Sequence, residues 1–181
     1  MAGYRTEGVI LKRTNFGEAD KLLTFFSKHV GKTKLLAKGV RKTKSRKGGN
    51  LELFNWVKIY VAKGRNLDLI TEVELINPFK KWRKNLGRVA VAYHFCELVD
   101  KLTAEGAKNR EVFEFLVSSL EKLGTEKDLE QLRSNFEVKL LEELGFWPRG
   151  KSVEKVDLHG YIEKLMEKRL NSKKIFKEFY G

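Results

Sequence analysis

The chain alternates between apolar and polar positions as far as residue 75, and the remainder repeats at helical spacing. Residues 7–12 (EGVILK) form a β-prone apolar run, and residues 22–26 form a second, rich in aromatics. Asn15-Phe16-Gly17 supplies a turn between them, and His29-Val30-Gly31 supplies another that leads into a strand over residues 33–37. Residues 56–62 (WVKIYVA) place Trp56, Lys58, Tyr60 and Ala62 on one face and Val57, Ile59 and Val61 on the other. A hairpin-like connection at residues 63–66 precedes a fifth strand over residues 67–75, whose alternation puts Asp68, Ile70, Glu72 and Glu74 on one side. Five short strands with glycine turns and no intervening helix predict a small closed barrel. An OB-fold is the favoured form, because such barrels bind nucleic acid strands on one face.

Asn77-Pro78 ends the strand region, since proline cannot continue a central ladder. Beyond it Phe79, Trp82, Leu86, Val89, Tyr93 and Cys96 recur at three and four residues and predict one stripe of a long helix, stopped by Glu105-Gly106. Asn109 can cap a second helix carrying Val112, Phe115, Leu116, Leu120 and Leu123, with Gly124 just past its end. Thr125 and Asp128 resemble a capping box for a third helix that holds Leu129, Leu132, Phe136, Leu140 and Leu144 and stops at Gly145. A fourth helix is expected over residues 158–170, and a short amphipathic tail over 175–180. The expected class is therefore α+β. An all-β barrel domain at residues 1–78 is followed by an all-α helical bundle at residues 79–181.

Composition adds a partner to this picture. The 181 residues are 41% hydrophobic and 34% charged, which excludes a disordered chain, and they leave room for one domain or two small ones. The net charge is +13, with 17 basic and 7 acidic side chains in residues 1–80 against 20 and 17 in the rest. Most of that excess lies in residues 28–47, which carry Lys28, Lys32, Lys34, Lys38, Arg41, Lys42, Lys44, Arg46 and Lys47. No acid occurs between Asp20 and Glu52. So one-sided a run implies an anionic partner such as a phosphate backbone or an anionic membrane surface. The plainer reading is a solvated loop. Against it, Leu35, Leu36, Ala37 and Val40 pin the run into folded structure, and Gly48 and Gly49 can close a turn behind it. The candidate phosphate contacts are Lys32, Lys34, Lys38, Arg41, Lys42, Lys44, Arg46 and Lys47, with Lys12 and Arg13 extending the surface.

Chemistry is harder to find. Residues 145–152 (GFWPRGKS) satisfy the phosphate-loop pattern letter for letter, but that cradle needs a strand before it and a helix starting on its lysine. Here the preceding residues have helical period and Pro148 stiffens the loop, so a helix end followed by a turn is the better reading. Gly31-Lys32-Thr33 is weaker still. Three scattered histidines, a single Cys96 and no H-E-x-x-H exclude a catalytic cluster, an internal disulfide and a multi-cysteine metal site. Neither an enzyme nor a cofactor is expected. No apolar run is long enough to span a bilayer and the first residues hold no signal core, so a cytoplasmic protein is expected. Phe16, Phe25, Phe26, Phe54, Trp56 and Tyr60 lie in or beside the strands, where each could stack on a base or pack in the core.

Taken together, the segments EGVILKRTNFGEADKLLTFFSKHVGKTKLLAKGVRKTKS and LELFNWVKIYVAKGRNLDLITEVELI resemble the RecO family of bacterial recombination mediators. Gly17-Glu18-Ala19-Asp20, Gly31-Lys32, Ala37-Lys38-Gly39-Val40-Arg41 and Thr71-Glu72 carry the likeness, and LLEELGF extends it more loosely to residue 147. The resemblance implies an OB-fold followed by a helical domain, binding of single- and double-stranded DNA, and annealing of complementary strands. It also implies a nucleoid-associated place in the cytoplasm and two partners, RecR and the acidic, apolar tail of single-strand-binding protein. With them the family helps load RecA. Many members carry a four-cysteine zinc site after the segment matching residues 144–146; residues 148–160 here (PRGKSVEKVDLHG) have no cysteine, so no metal is expected. The rival reading is an RNA-binding OB protein of the translation machinery. Competition between matched DNA and RNA oligomers separates the two, a clear preference for RNA favouring the rival.

Overall fold

The computed structural model describes residues 2–167. The expected tail at residues 175–180 and the last residues of the expected fourth helix, 168–170, lie outside the described residues. Five strands form first: β1 (Gly3–Phe16), β2 (Asp20–Ser27), β3 (Gly31–Ala37), β4 (Trp56–Ala62) and β5 (Asp68–Asn77). They close into a barrel in the order β1-β2-β3-β5-β4. This is the five-stranded OB architecture. Strand β1 is much longer than its apolar run because both its edges are used. Gly3 to Val9 pair with β4, and Gly8 to Phe16 pair with β2. A register shift between Ile10 and Lys12 marks a bulge that bends the strand from one neighbour to the other. Every pairing is antiparallel except the seam, where β3 runs parallel to β5 through Leu35–Asp68 and Leu36–Leu69 alone.

The inward positions of all five strands make one core, in which Ile10, Leu23, Phe25, Leu35, Val57 and Ile59 are fully buried. Val40 and Leu51, from the connection between β3 and β4, join that core. One expectation about β5 is corrected. Ile70 does not share a face with Glu72 and Glu74 but enters the core, because the ladder shifts register between Tyr60 and Val61 and inverts the alternation there.

The helices are α1 (Leu86–Leu102), α2 (Arg110–Lys122), α3 (Leu129–Glu143) and α4 (Leu158–Met166). Helix α1 begins later than its periodicity predicts. Phe79 takes a left-handed backbone (φ 51°) just after Pro78, and the Asn85 side chain accepts from Arg88 N to start the helix. Phe79 and Trp82 are still buried, but they precede the helix, and Trp82 Nε1 donates to the Leu120 carbonyl at 2.7 Å. The expected stripe is also rotated, since Leu86 and Tyr93 are exposed while Val91, Phe95, Leu98 and Val99 are buried. Asn109 caps α2 through Val112 N as expected. Asp128 itself caps α3 by accepting from Gln131 N, so Thr125 is not the cap. Phe95 of α1 stacks on Phe136 of α3 with ring centroids 3.9 Å apart. Beside them His94 Nε2 meets Glu137 Oε1 at 2.6 Å in a fully buried polar contact.

Two compact units result. One comprises Met1–Phe79 and Ala104–Val117, so the start of α2 groups with the barrel; the other comprises Lys80–Thr103 and the residues from Ser118 onward. Within the first unit, Gly106 N donates to the Lys32 carbonyl at 2.8 Å and Glu105 bridges Lys32 in parallel, extending the free edge of β3. Gly31 allows this approach. Its φ is +80°, and a β-carbon there would run into the Ala107 carbonyl. Gly31→Ala is therefore expected to cost about 1–3 kcal/mol. A thermal melt should register about 2–4 °C for each kcal/mol in a chain of this size.

Candidate nucleic-acid interface

Strand pairing determines which cations share a surface. Past the bulge, β1 turns Lys12, Thr14 and Phe16 to the same side. The ladder sets Lys12 opposite Thr24 of β2, and Thr24 opposite Lys34 of β3. Lys12 and Lys34 are exposed at the two ends of that cross-strand row. Lys32 follows on the same face of β3, half-buried beside the 105–107 segment. The outward positions of β3 thus carry Lys32 and Lys34, with Lys12 on β1 at the other end of the Lys34 row.

After β3 the chain turns sharply, and three contacts tie that turn to the one between β1 and β2. Gly39 N donates to Asp20 Oδ1 at 2.7 Å, Arg41 N donates to the Ala19 carbonyl at 2.9 Å, and Arg41 Nη1 donates to the Gly17 carbonyl at 3.1 Å. Lys38, Lys42, Lys44 and Arg46 then project from successive turns, all exposed and without a salt bridge among the described residues. Close packing keeps the loop folded, since a β-carbon on Gly48 would lie 2.7 Å from the Val40 carbonyl. Lys47 is diverted from the surface. It is half-buried, and its Nζ donates to the Ile70 carbonyl at 3.4 Å. Arg13 is likewise diverted, its guanidinium pairing with Glu52.

Lys21 joins this group, although the one-sided run, counted from residue 28, leaves it out. It lies across from Asn15 and Ala37 on neighbouring strands. Its ammonium is held below the usual lysine range by burial first and then by Arg13, with Arg41 adding to the effect and Glu52 opposing it. Arg13, Arg41 and the Glu52 carboxylate therefore lie close enough to act on the Lys21 charge.

The opposite side of the barrel is different. Cross-strand rows there run Glu7–Lys58–Glu74 and Arg5–Tyr60–Glu72. Arg5 pairs with Glu72 at 3.4 Å and sits 5.8 Å from the Tyr60 ring centre, while Lys28 pairs with Glu7 at 3.0 Å. Acids answer the bases on that face. Of the aromatics named above, Phe25, Phe26 and Phe54 are buried, and Trp56 packs edge-on against Phe113. Only Phe16 is exposed.

The loop at residues 145–152 follows helix α3 and closes on itself. Gly150 N donates to Glu142 Oε1, Trp147 Nε1 donates to the Lys151 carbonyl, and Lys151 lies over the Trp147 ring. A carboxylate occupies the amide that a phosphate would need. Among the described residues no group of three or more His, Cys, Asp or Glu could hold a metal ion, and no helix is long and apolar enough to cross a membrane.

The molecule is thus an OB-fold protein with exposed cations on its barrel and helices after it. Comparison with known proteins narrows the class. The family model described as "Recombination protein O N terminal" matches residues 1–79, and "Recombination protein O C terminal" matches residues 83–152. The chain is 36% identical over 146 residues to a DNA repair protein RecO from Roseiflexus sp. (strain RS-1), covering 81% of this chain and 51% of that one. It is 36% identical over 149 residues to the Symbiobacterium thermophilum RecO, covering 82% and 59%, and 33% identical to that of Rubrobacter xylanophilus, covering 82% and 60%. This chain belongs to the RecO family. It spans little more than half the length of these relatives.

The charges around Lys21 make a spectroscopic prediction. Glu52→Gln removes the carboxylate that raises the Lys21 pKa, so the ammonium should titrate at lower pH than in the parent; Arg41→Gln should move it the other way. NMR of the lysine side chains reads both shifts.

Proposed function

We propose that the β1–β2–β3 side of the barrel and the loop after β3 bind the backbones of single- and double-stranded DNA. On this reading the protein anneals complementary strands and serves recombinational repair as a mediator rather than an enzyme. Its partners are a RecR-type protein and the tail of single-strand-binding protein, with which it assists RecA loading. One observation carries the proposal. Lys12 and Lys34 are exposed on the β1–β2–β3 ladder, and Lys38, Lys42, Lys44 and Arg46 are exposed on the connection that Gly39 and Arg41 tie to the β1–β2 turn, while on the opposite face Arg5 and Lys28 pair with acids. Membership of a family whose relatives are named DNA repair proteins supports the choice of DNA.

The mechanism follows from charge. Two strands repel through their phosphates, and a surface that neutralises both at once lowers that repulsion and lets bases find each other. Affinity then comes largely from counterion release. No bond is made or broken. Arg41 serves twice, since its guanidinium also holds the Gly17 carbonyl, so charge reversal there would disturb the turn as well as the field.

Lys34 and Lys42 make a cleaner pair for reversal. If about five phosphates of a single strand are engaged, log K should fall with log salt at a slope near −3.5. The double variant Lys34→Glu/Lys42→Glu should bind more weakly across all sequences and bring the slope to about −2. Fluorescence anisotropy at several salt concentrations measures this; an unchanged slope would remove both residues from the interface. Annealing of complementary oligonucleotides, with and without single-strand-binding protein, tests the activity itself.

A further inference from the structure

Phe16 is the one aromatic side chain of the barrel unit that the fold leaves exposed, at 45%, among the described residues. Phe25 fills the core, Trp56 has Phe113, and Tyr60 lies beneath Arg5. Phe16 is the last residue of β1, on the side that carries Lys12 and Thr14. The next residue, Gly17, takes a left-handed backbone (φ +58°) and gives its carbonyl to Arg41. The nearest acid across the ladder, Asp20, spends one oxygen on Gly39 N. An apolar ring is therefore displayed to water at a fixed turn, with cations on its own strand and on the loop tied to that turn.

We propose that Phe16 is a stacking platform for an unpaired nucleobase, and that it gives this surface a preference for single strands over duplex. Cations cannot supply that preference, because phosphates are common to both forms. The faces of bases in a duplex are already stacked on one another. Only an unpaired nucleotide can offer a free π-face to a ring, while neighbouring ammonium and guanidinium groups hold the backbone on either side. This assignment rests on the cationic DNA-binding reading above and adds the form of DNA that the surface selects.

The test compares the parent with Phe16→Ala and Phe16→Tyr on a single-stranded oligonucleotide, its abasic counterpart and a duplex of equal length, all at one salt concentration. Phe16→Ala should weaken single-strand binding roughly 5- to 100-fold, leaving duplex and abasic binding and the salt slope unchanged. Phe16→Tyr should retain most of the parent's single-strand affinity. An equal loss on all three ligands, or no loss on the single strand, overturns the assignment. A parent chain that binds none of the three, or binds without salt dependence, instead overturns the cationic reading and this one with it. Because the ring is exposed, the variants should melt with the parent; a destabilised Phe16→Ala would show the ring to be structural and would also overturn the assignment.

Discussion

One carboxylate holds the cationic surface together. Asp20 opens β2 and reaches across to the amide of Gly39, just after β3, so two neighbouring turns at one end of the sheet become one platform. A charged acceptor on a backbone N–H is among the stronger hydrogen bonds available. Without it the basic connection would keep the apolar anchors Val40 and Leu51 and the Arg41 contacts to Gly17 and Ala19, but lose the one charged acceptor among the three contacts at the turn. Like charges on the loop repel, and an untied loop would spread. The acid therefore acts by geometry, keeping mutually repelling groups close enough to present a common field.

The barrel also divides its charges by face. Along β4 and β5 the ladder alternates acids with bases, and several are paired, so that surface is close to neutral. Along β1, β2 and β3 the same kind of ladder sets lysine beside threonine and leaves no acid in the Lys12–Thr24–Lys34 row. The bulge in β1 makes the difference possible, because it lets one strand serve both faces with its outward positions reset. Net charge alone does not distinguish a uniformly basic protein from one with a basic side. Strand register does.

Much of this was legible in the residues. The five strands, their order of appearance and their closure into a barrel follow from period-two patterning and glycine turns with no helix between them. What could not be read was anything set by tertiary pairing. Strand β1 runs far beyond its apolar segment because two neighbours use its edges. Ile70 enters the core because a register shift overrides simple alternation. Phe79 and Trp82 keep helical spacing without being helical, since a left-handed residue and an asparagine cap postpone α1. At the candidate site the basic run was plain, but Arg13 and Lys47 are drawn into internal contacts, and Lys21 joins only through the fold. Burial separated Phe16 from five aromatics that composition makes equivalent.

The short parallel seam carries a different consequence. With β5 matched to β3 over just two residue pairs, the first half of β3 would otherwise leave its backbone donors and acceptors open to water. A bare strand margin is a template on which another chain can add its own strand. Residues 105 and 106 occupy that margin through Lys32, so a piece of chain that follows α1 shields a strand laid down far earlier. The first 79 residues by themselves hold every strand of the barrel yet lack this shield. The longer chain thus carries the piece that closes this margin, and a barrel cut free of it would expose β3 as a place for another strand to add.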